Sequence, residues 1–296
     1  MSATTAAGTA GRARRPVPPE IRRRRLLLSV ANHSVAIALS IAFLLPFLFI
    51  LATSLMTNQQ ALSPNIWPHP FAWSNYRTVF ESFPFVRYTL NTVTYAGLAT
   101  VGVLLSCVPV AYALSRLQWR GRQAAFILVL STLMLPPQVT IVPLYVIFVR
   151  LHWIGSLKPL IIPLFFGDAF TIFLLRQFFM TIPQELSDAA RVDGASELQI
   201  LLRVIVPLAK PALAAVALFQ FLYSWNDFFS PLLYAGNNPD SWTLAVALQQ
   251  FTTLSRGVLW NLQMAASLLF MLPVIVIFFF GQKAFVEGVT LTGVKG

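Results

Sequence analysis

Ionisable side chains are scarce in this 296-residue sequence, and their positions decide what chemistry it can do. Asp168 and Asp227 fall inside long apolar stretches. An acid within a membrane span is costly and is by default a functional candidate. Asp168 either faces a pathway and binds a polar solute or pairs with a group on another subunit. Gln138, Asn226 and Asp227 either line the same pathway or hydrogen-bond between helices. Other chemistries fail on residue type. Lys158, Lys210, Lys283 and Lys295 are the only lysines and none follows a glycine, so no phosphate-binding GxxxxGK[ST] loop exists. His33, His69 and His152 are far apart and form no HExxH zinc motif. Cys107 stands alone, which excludes an internal disulfide and a cysteine metal site. No nucleophile, base and acid set is present. The sequence therefore predicts a non-catalytic chain with no metal and no cofactor of its own.

The densest group of acids lies between Arg176 and Lys210, where Glu185, Asp188, Asp193 and Glu197 make four of the ten in the chain. The segment 180–209 reads as two short helices. Thr181 with Gln184, and Ser196 with Gln199, have capping-box spacing. Gly194 falls between them, where a helix C-terminus needs a left-handed residue. Leu198, Ile200, Leu201, Leu202, Val204 and Ile205 make the second helix strongly apolar, and Pro207 is expected to end it. Such a hairpin must bury a face, either against the chain's own helix ends or against a cytoplasmic partner.

The elements that position these residues are set by hydropathy. The composition is 57% hydrophobic and 10% charged, against roughly 25% charged in soluble domains. Leu26–Tyr76, Tyr88–Ser115, Gln123–Val149 and Gly257–Gln282 carry no Asp, Glu, Lys or Arg. Each can hold the about 20 apolar residues that span a bilayer. The predicted class is all-α and polytopic, with six spans near 26–54, 87–114, 124–149, 157–179, 210–234 and 262–283. A basic tail over 1–25, expected to be mostly disordered, precedes the six-helix domain over 26–283, and a C-terminal tail follows at 284–296. The first apolar segment is far longer than the roughly 7–15 residues of a signal core, so it reads as a retained helix.

The net charge of +11 includes seven basic residues in the first 25 positions. Beside an apolar segment such a run marks the cytoplasmic side of a membrane, not nucleic-acid binding. With both termini inside, sixteen basic residues fall inside and five outside, which fixes the orientation. Trp67 and Trp73 in the external segment 55–86 read as interfacial anchors, and the external segment 235–261 could dock a partner. Pro136, Pro137 and Pro143 within one span favour a broken helix lining a pathway or a packing kink.

The loop resembles that of binding-protein-dependent ABC importer permeases, E-A-A-x-x-x-G-x9-I-x-L-P. Here it reads Asp188-Ala189-Ala190, Gly194 six residues after Asp188, and Val204-Ile205-Val206-Pro207. Asp replaces Glu, and Val replaces both Ile and Leu. Ala111-Tyr112-Ala113-Leu114-Ser115-Arg116, Leu135-Pro136-Pro137-Gln138, Phe173–Phe179, Trp225-Asn226-Asp227 and the end of the chain from Gly288 are similar to the carbohydrate, MalG-like members. The resemblance implies an ABC importer permease fold in a bacterial inner membrane. It implies a heterodimer with a second, MalF-like permease, two copies of an ABC ATPase that bind ATP and magnesium, an extracytoplasmic solute-binding protein and a sugar substrate. It further implies that Asp188, Ala189, Ala190, Asp193, Gly194, Val204 and Pro207 couple the chain to the ATPase. The alternative is a secondary transporter driven by an ion gradient, which predicts inverted sequence symmetry; none is seen.

Overall fold

The computed structural model describes residues 19–82, 84–254 and 259–293. Among them all regular structure is helical. The chain divides into two units, residues 1–51 and 52–296. The first unit holds most of α1 (Pro19–Ser54), which from Leu27 on carries no charged residue, as a lipid-embedded helix must. Its polar side chains return to its own backbone: His33 Nδ1 donates to Ser29 O at 2.7 Å and Ser40 Oγ to Ala36 O at 2.8 Å. The helix begins at Pro19, so the expected tail is helical over its last seven positions; residues 1–18 lie outside the described residues.

The second unit contains α2 (Ser74–Ser82), α3 (Phe85–Ser115), α4 (Arg122–Thr132), α5 (Pro137–Arg150), α6 (Ala169–Thr181), α7 (Gln184–Val192), α8 (Glu197–Leu208), α9 (Lys210–Asn226), α10 (Leu244–Leu254) and α11 (Trp260–Gly293). Leu27–Ser54, Phe85–Ser115, Lys158–Thr181 and Trp260–Gly281 are long and apolar enough to cross a membrane singly. Among the described residues the number reaches six, the number expected from hydropathy, when each of two bent pairs is counted as one span, α9 being the apolar limb of the second and α8 part of the hairpin. The first is α4 with α5, turned through 92° at Pro136 and Pro137. A proline lacks the N–H donor and forces its predecessor out of helical geometry, so two in succession break the span. The second is α8 with α9, turned through 80°.

Three expected boundaries move. The fifth span stops at Asn226 rather than 234, because Asp227 is extended and a separate turn, Phe229–Ala235, follows. The fourth span is interrupted: a 3-10 segment, Ile162–Phe166, gives way at Gly167 (φ 111°) to α6. The last helix continues to Gly293, past the expected end at 283, and the final three residues lie outside the described residues.

The core sits around α3. One face of it carries Ala96, Ala99, Val103, Cys107 and Ala111, all fully buried, and small residues let membrane helices approach closely. Gly102 on the same side meets Phe165 so closely that an added Cβ would sit 2.6 Å from the ring. Within the segment 235–249, Leu244, Val246 and Ala247 are buried, and Leu244 N donates to Thr92 Oγ1 of α3 at 2.8 Å.

Gly102→Ala should destabilise the protein even though alanine raises helix propensity by up to about 1 kcal/mol. Displacing a packed ring costs typically 1–3 kcal/mol. Gly97→Ala, with nothing within 4 Å of the added carbon, should be neutral or stabilising. Thermal denaturation in detergent followed by size exclusion compares the two.

Candidate functional site

The hairpin formed by α7 and α8 is built from local capping. Helix α6 ends at Thr181, Ile182 is extended, and Pro183 opens α7. Pro183 forces that break, because the residue before a proline avoids helical geometry. The expected capping box of Thr181 with Gln184 does not form. Thr181 Oγ1 donates back to Phe178 O at 2.7 Å, and Gln184 Oε1 accepts from Arg116 at 2.7 Å. At the far end of α7, Gly194 takes φ 82°. Gly194 N donates to Arg191 O and Ala195 N to Ala190 O, the paired bonds of a Schellman motif. Ser196 and Gln199 then form the expected capping box. Helix α8 passes through a π-turn, Leu201–Ile205, and continues beyond Pro207 to Leu208. Pro207 therefore lies within its last turn and does not end it. Pro211, which cannot donate to Pro207 O, marks the bend into α9.

The hairpin has two faces, one buried against the chain's own helices and one exposed. Ile200, Leu201 and Ile205 are buried in the same cluster as Leu175 and Phe179, with Ala190 and Val204 packed at its edge. Leu186, Val192, Leu198 and Leu202 point outward, Val192 being 88% exposed. Ala189, Asp193 and Gly194 are also on the exposed side. Asp188 Oδ1 accepts from Arg191 at 2.6 Å while its side chain stays 59% exposed. Arg191 also holds Glu197 Oε1 at 2.7 Å, and Glu197 Oε2 accepts the Tyr112 hydroxyl of α3 at 2.5 Å. The hydrogen bonds from Arg191 and Tyr112 hold the Glu197 carboxyl below its ordinary value, and the bond to Glu197 raises Arg191. A cleft of about 730 Å³ opens between this group and Trp119.

Two buried arginines join the ends of α3 and α6, and Arg116 also reaches the hairpin through Gln184. Arg116, 5% exposed just past α3, donates to Phe179 O and Ile182 O at the end of α6. Arg176 of α6 donates to Leu114 O at the end of α3 at 3.1 Å and lies 3.9 Å over the Phe126 ring. Sequence reasoning counted both as topological charges and as parts of family-like motifs, and gave neither a contact. Their partners are backbone oxygens more than sixty positions away, which no local pattern reveals.

Asp168 is the one pathway candidate that lines a cavity. It precedes α6 and its Oδ2 accepts from Thr171 N at 2.7 Å. The cavity, about 560 Å³, is walled by Leu174, Val216, Phe170, Phe219 and Tyr223, with Gln220 beside them. The other candidates sit elsewhere. Asp227 accepts from Tyr95 OH at 2.9 Å and from Ser230 N at 3.2 Å. Asn226 bonds back to Leu222 O, and Gln138 is exposed at the start of α5.

Residues 102–291 match the family described as binding-protein-dependent transport system inner membrane component. The chain belongs to this family. It is 33% identical over 263 residues to the arabinooligosaccharides transport system permease protein AraQ of Bacillus subtilis (strain 168), covering 87% of this chain and 92% of that one. It is 32% identical over 269 residues to the sn-glycerol-3-phosphate transport system permease protein UgpE of Pectobacterium atrosepticum, covering 88% and 95%. A chain of the crystal structure of a bacterial ABC transporter that imports the acidic polysaccharide alginate superposes with a TM-score of 0.78 at 26% identity, covering 89% and 98%. Family membership, these neighbours and the apolar helices make the chain a multi-pass inner-membrane permease subunit of an ABC importer.

The depressed Glu197 carboxyl ties hairpin stability to pH. Its contribution is present above the unfolded value and is lost as pH falls through the lower folded value. Backbone protection over 184–208, corrected for intrinsic exchange rates, should therefore fall on acidification below about pH 4.5. Glu197→Gln should remove most of that dependence. A second variant tests the turn: Gly194→Ala should cost about 1 kcal/mol or more at a left-handed position, read as lower hairpin protection at neutral pH.

Proposed function

We propose that this chain is the MalG-like half of an ATP-driven sugar importer. It pairs with a second, MalF-like permease, two copies of an ABC ATPase and an extracytoplasmic solute-binding protein. ATP and magnesium bind on the ATPase. The chain lies in a bacterial plasma membrane with both termini cytoplasmic. The observation that carries this reading is the two-faced hairpin: one face is built into the core, and the other presents Leu186, Val192, Leu198 and Leu202 to the cytoplasm. Exposed apolar side chains grouped in this way mark a protein contact. Asp188 beside them keeps a free carboxylate oxygen for a basic group of the ATPase. The names of the relatives, which refer to arabinooligosaccharides and sn-glycerol-3-phosphate, support a carbohydrate or polyol solute.

The coupling is mechanical. ATP draws the two ATPases together and displaces the docked hairpin as a rigid body. The Arg116 and Arg176 bonds pass that displacement to α3 and α6, and α6 carries the wall of the cavity. Within the cavity Phe170, Phe219 and Tyr223 offer faces for sugar rings, and Asp168 offers an acceptor for a hydroxyl.

Affinity purification of the chain in mild detergent tests the assembly. The expected result is a second six-span permease and an ATPase in the same complex; a homo-oligomer without ATPase would favour the ion-gradient carrier. Asp168→Asn tests the pathway, because asparagine caps a helix as well as aspartate does. Uptake should fall by about tenfold, as for the loss of one hydrogen bond to a charged group, with insertion unchanged. Normal uptake would remove Asp168 from the pathway.

A further inference from the structure

Helix α3 touches both ends of the proposed coupling. At its cytoplasmic end the Tyr112 ring is buried in the core cluster, 3% exposed, and its hydroxyl donates to Glu197 Oε2 at 2.5 Å. Glu197 is the first residue of α8 and sits directly after the Ser196 cap. Through Arg191 the same carboxylate reaches α7 and Asp188. One side-chain chain thus runs from the wall of α3 to the exposed carboxylate on the docking face. Farther along α3, Ser106 Oγ donates to Leu164 O at 3.0 Å, and Cys107 Sγ accepts from Asp168 N at 3.2 Å. These contacts hold the break that places Asp168 in the cavity. Cys107 and Tyr112 are five residues apart, about 7.5 Å along the helix axis.

We infer that Tyr112 is a positioning residue for transport, whose hydroxyl, by holding Glu197 and Arg191, ties the hairpin to the helix that supports the Asp168 break. The inference rests on the importer reading above. The hairpin has its own buried face and its own caps, so the tyrosine hydroxyl is not needed to fold it or to dock the ATPase. The hydroxyl sets the angle between hairpin and span. Without it the hairpin remains attached through α9 but pivots on the Schellman turn and the 80° bend.

The test uses the assembled importer purified through this chain, with ATP in magnesium-free buffer as the probe. This occupies the ATPases without turnover. A Tyr223→Cys reporter in the cavity is labelled with a water-soluble maleimide, and buried Cys107 serves as the internal control. With Tyr112 intact, ATP should change the reporter's labelling rate several-fold, within the roughly 5- to 150-fold range of ordinary couplings. Tyr112→Phe keeps the buried ring. It should leave the amount of recovered ATPase within about twofold while the several-fold ATP response falls to near no change, since one hydrogen bond to a charged group is worth about tenfold. Glu197→Leu should give the same loss, and the double variant no further loss.

An undiminished ATP response in Tyr112→Phe would overturn the inference. So would a parallel loss of ATPase and response, which would make the hydroxyl a folding contact only, and so would additive losses in the double variant. Absence of ATPase with Tyr112 and Glu197 both intact would overturn the importer reading itself, and this inference with it.

Discussion

The hairpin end of the structure depends on an exchange of arginines between two helix ends. A helix leaves its last carbonyls unsatisfied, and its C-terminus carries partial negative charge. At the inner end of α3 and α6 those carbonyls are buried. Arg116, from beyond α3, satisfies the end of α6, and Arg176, from α6, satisfies the end of α3. Each guanidinium is itself buried at a cost that only such bonds offset. Removing one would therefore strand carbonyls on one helix and loosen the opposite helix. The hairpin begins two residues after Thr181, so its position follows from this exchange.

The same requirement explains where spans are allowed to break. Non-helical backbone at membrane depth persists only where its polar groups find partners or face a cavity. Asp168 satisfies Thr171 N at the break before α6, and Asp227 satisfies Ser230 N after α9. Thr92 performs the same service for Leu244 N from across the fold. The two acids differ in what remains. Asp227 is further engaged by Tyr95 OH, whereas Asp168 borders the cavity. The acid that stabilises the break before α6 thus also borders the cavity.

The six spans and the hairpin were legible in the sequence because composition and caps are local signals. Charge-free stretches mark helices in lipid, and the glycine and Ser196–Gln199 spacing mark a turn and a start. Local signals failed where two competed. Thr181 and Gln184 have capping spacing, yet Pro183 lies between them and settles the boundary by its own geometry. Pro207 looked terminal, but the preceding π-turn absorbs its missing donor, and Pro211 marks the bend. The functional contacts were illegible for another reason. Tyr112 meets Glu197 from 85 positions away, and Arg116 meets Phe179 from 63. Such pairs exist only once α3 and α6 have packed.

A hairpin can transmit motion only if moving it relative to the spans costs more than moving the spans with it. A hydrogen bond to a charged group is worth about 1.5–3 kcal/mol, and several such bonds join the hairpin and its leading turn to α3. Slippage would break them together and strip the buried Arg116 guanidinium of its Ile182 and Gln184 partners. Beyond that joint the chain turns at the left-handed Gly194, bends at Ala209 and breaks at Gly167 beside the cavity, where Ser106 and Cys107 of α3 hold the break.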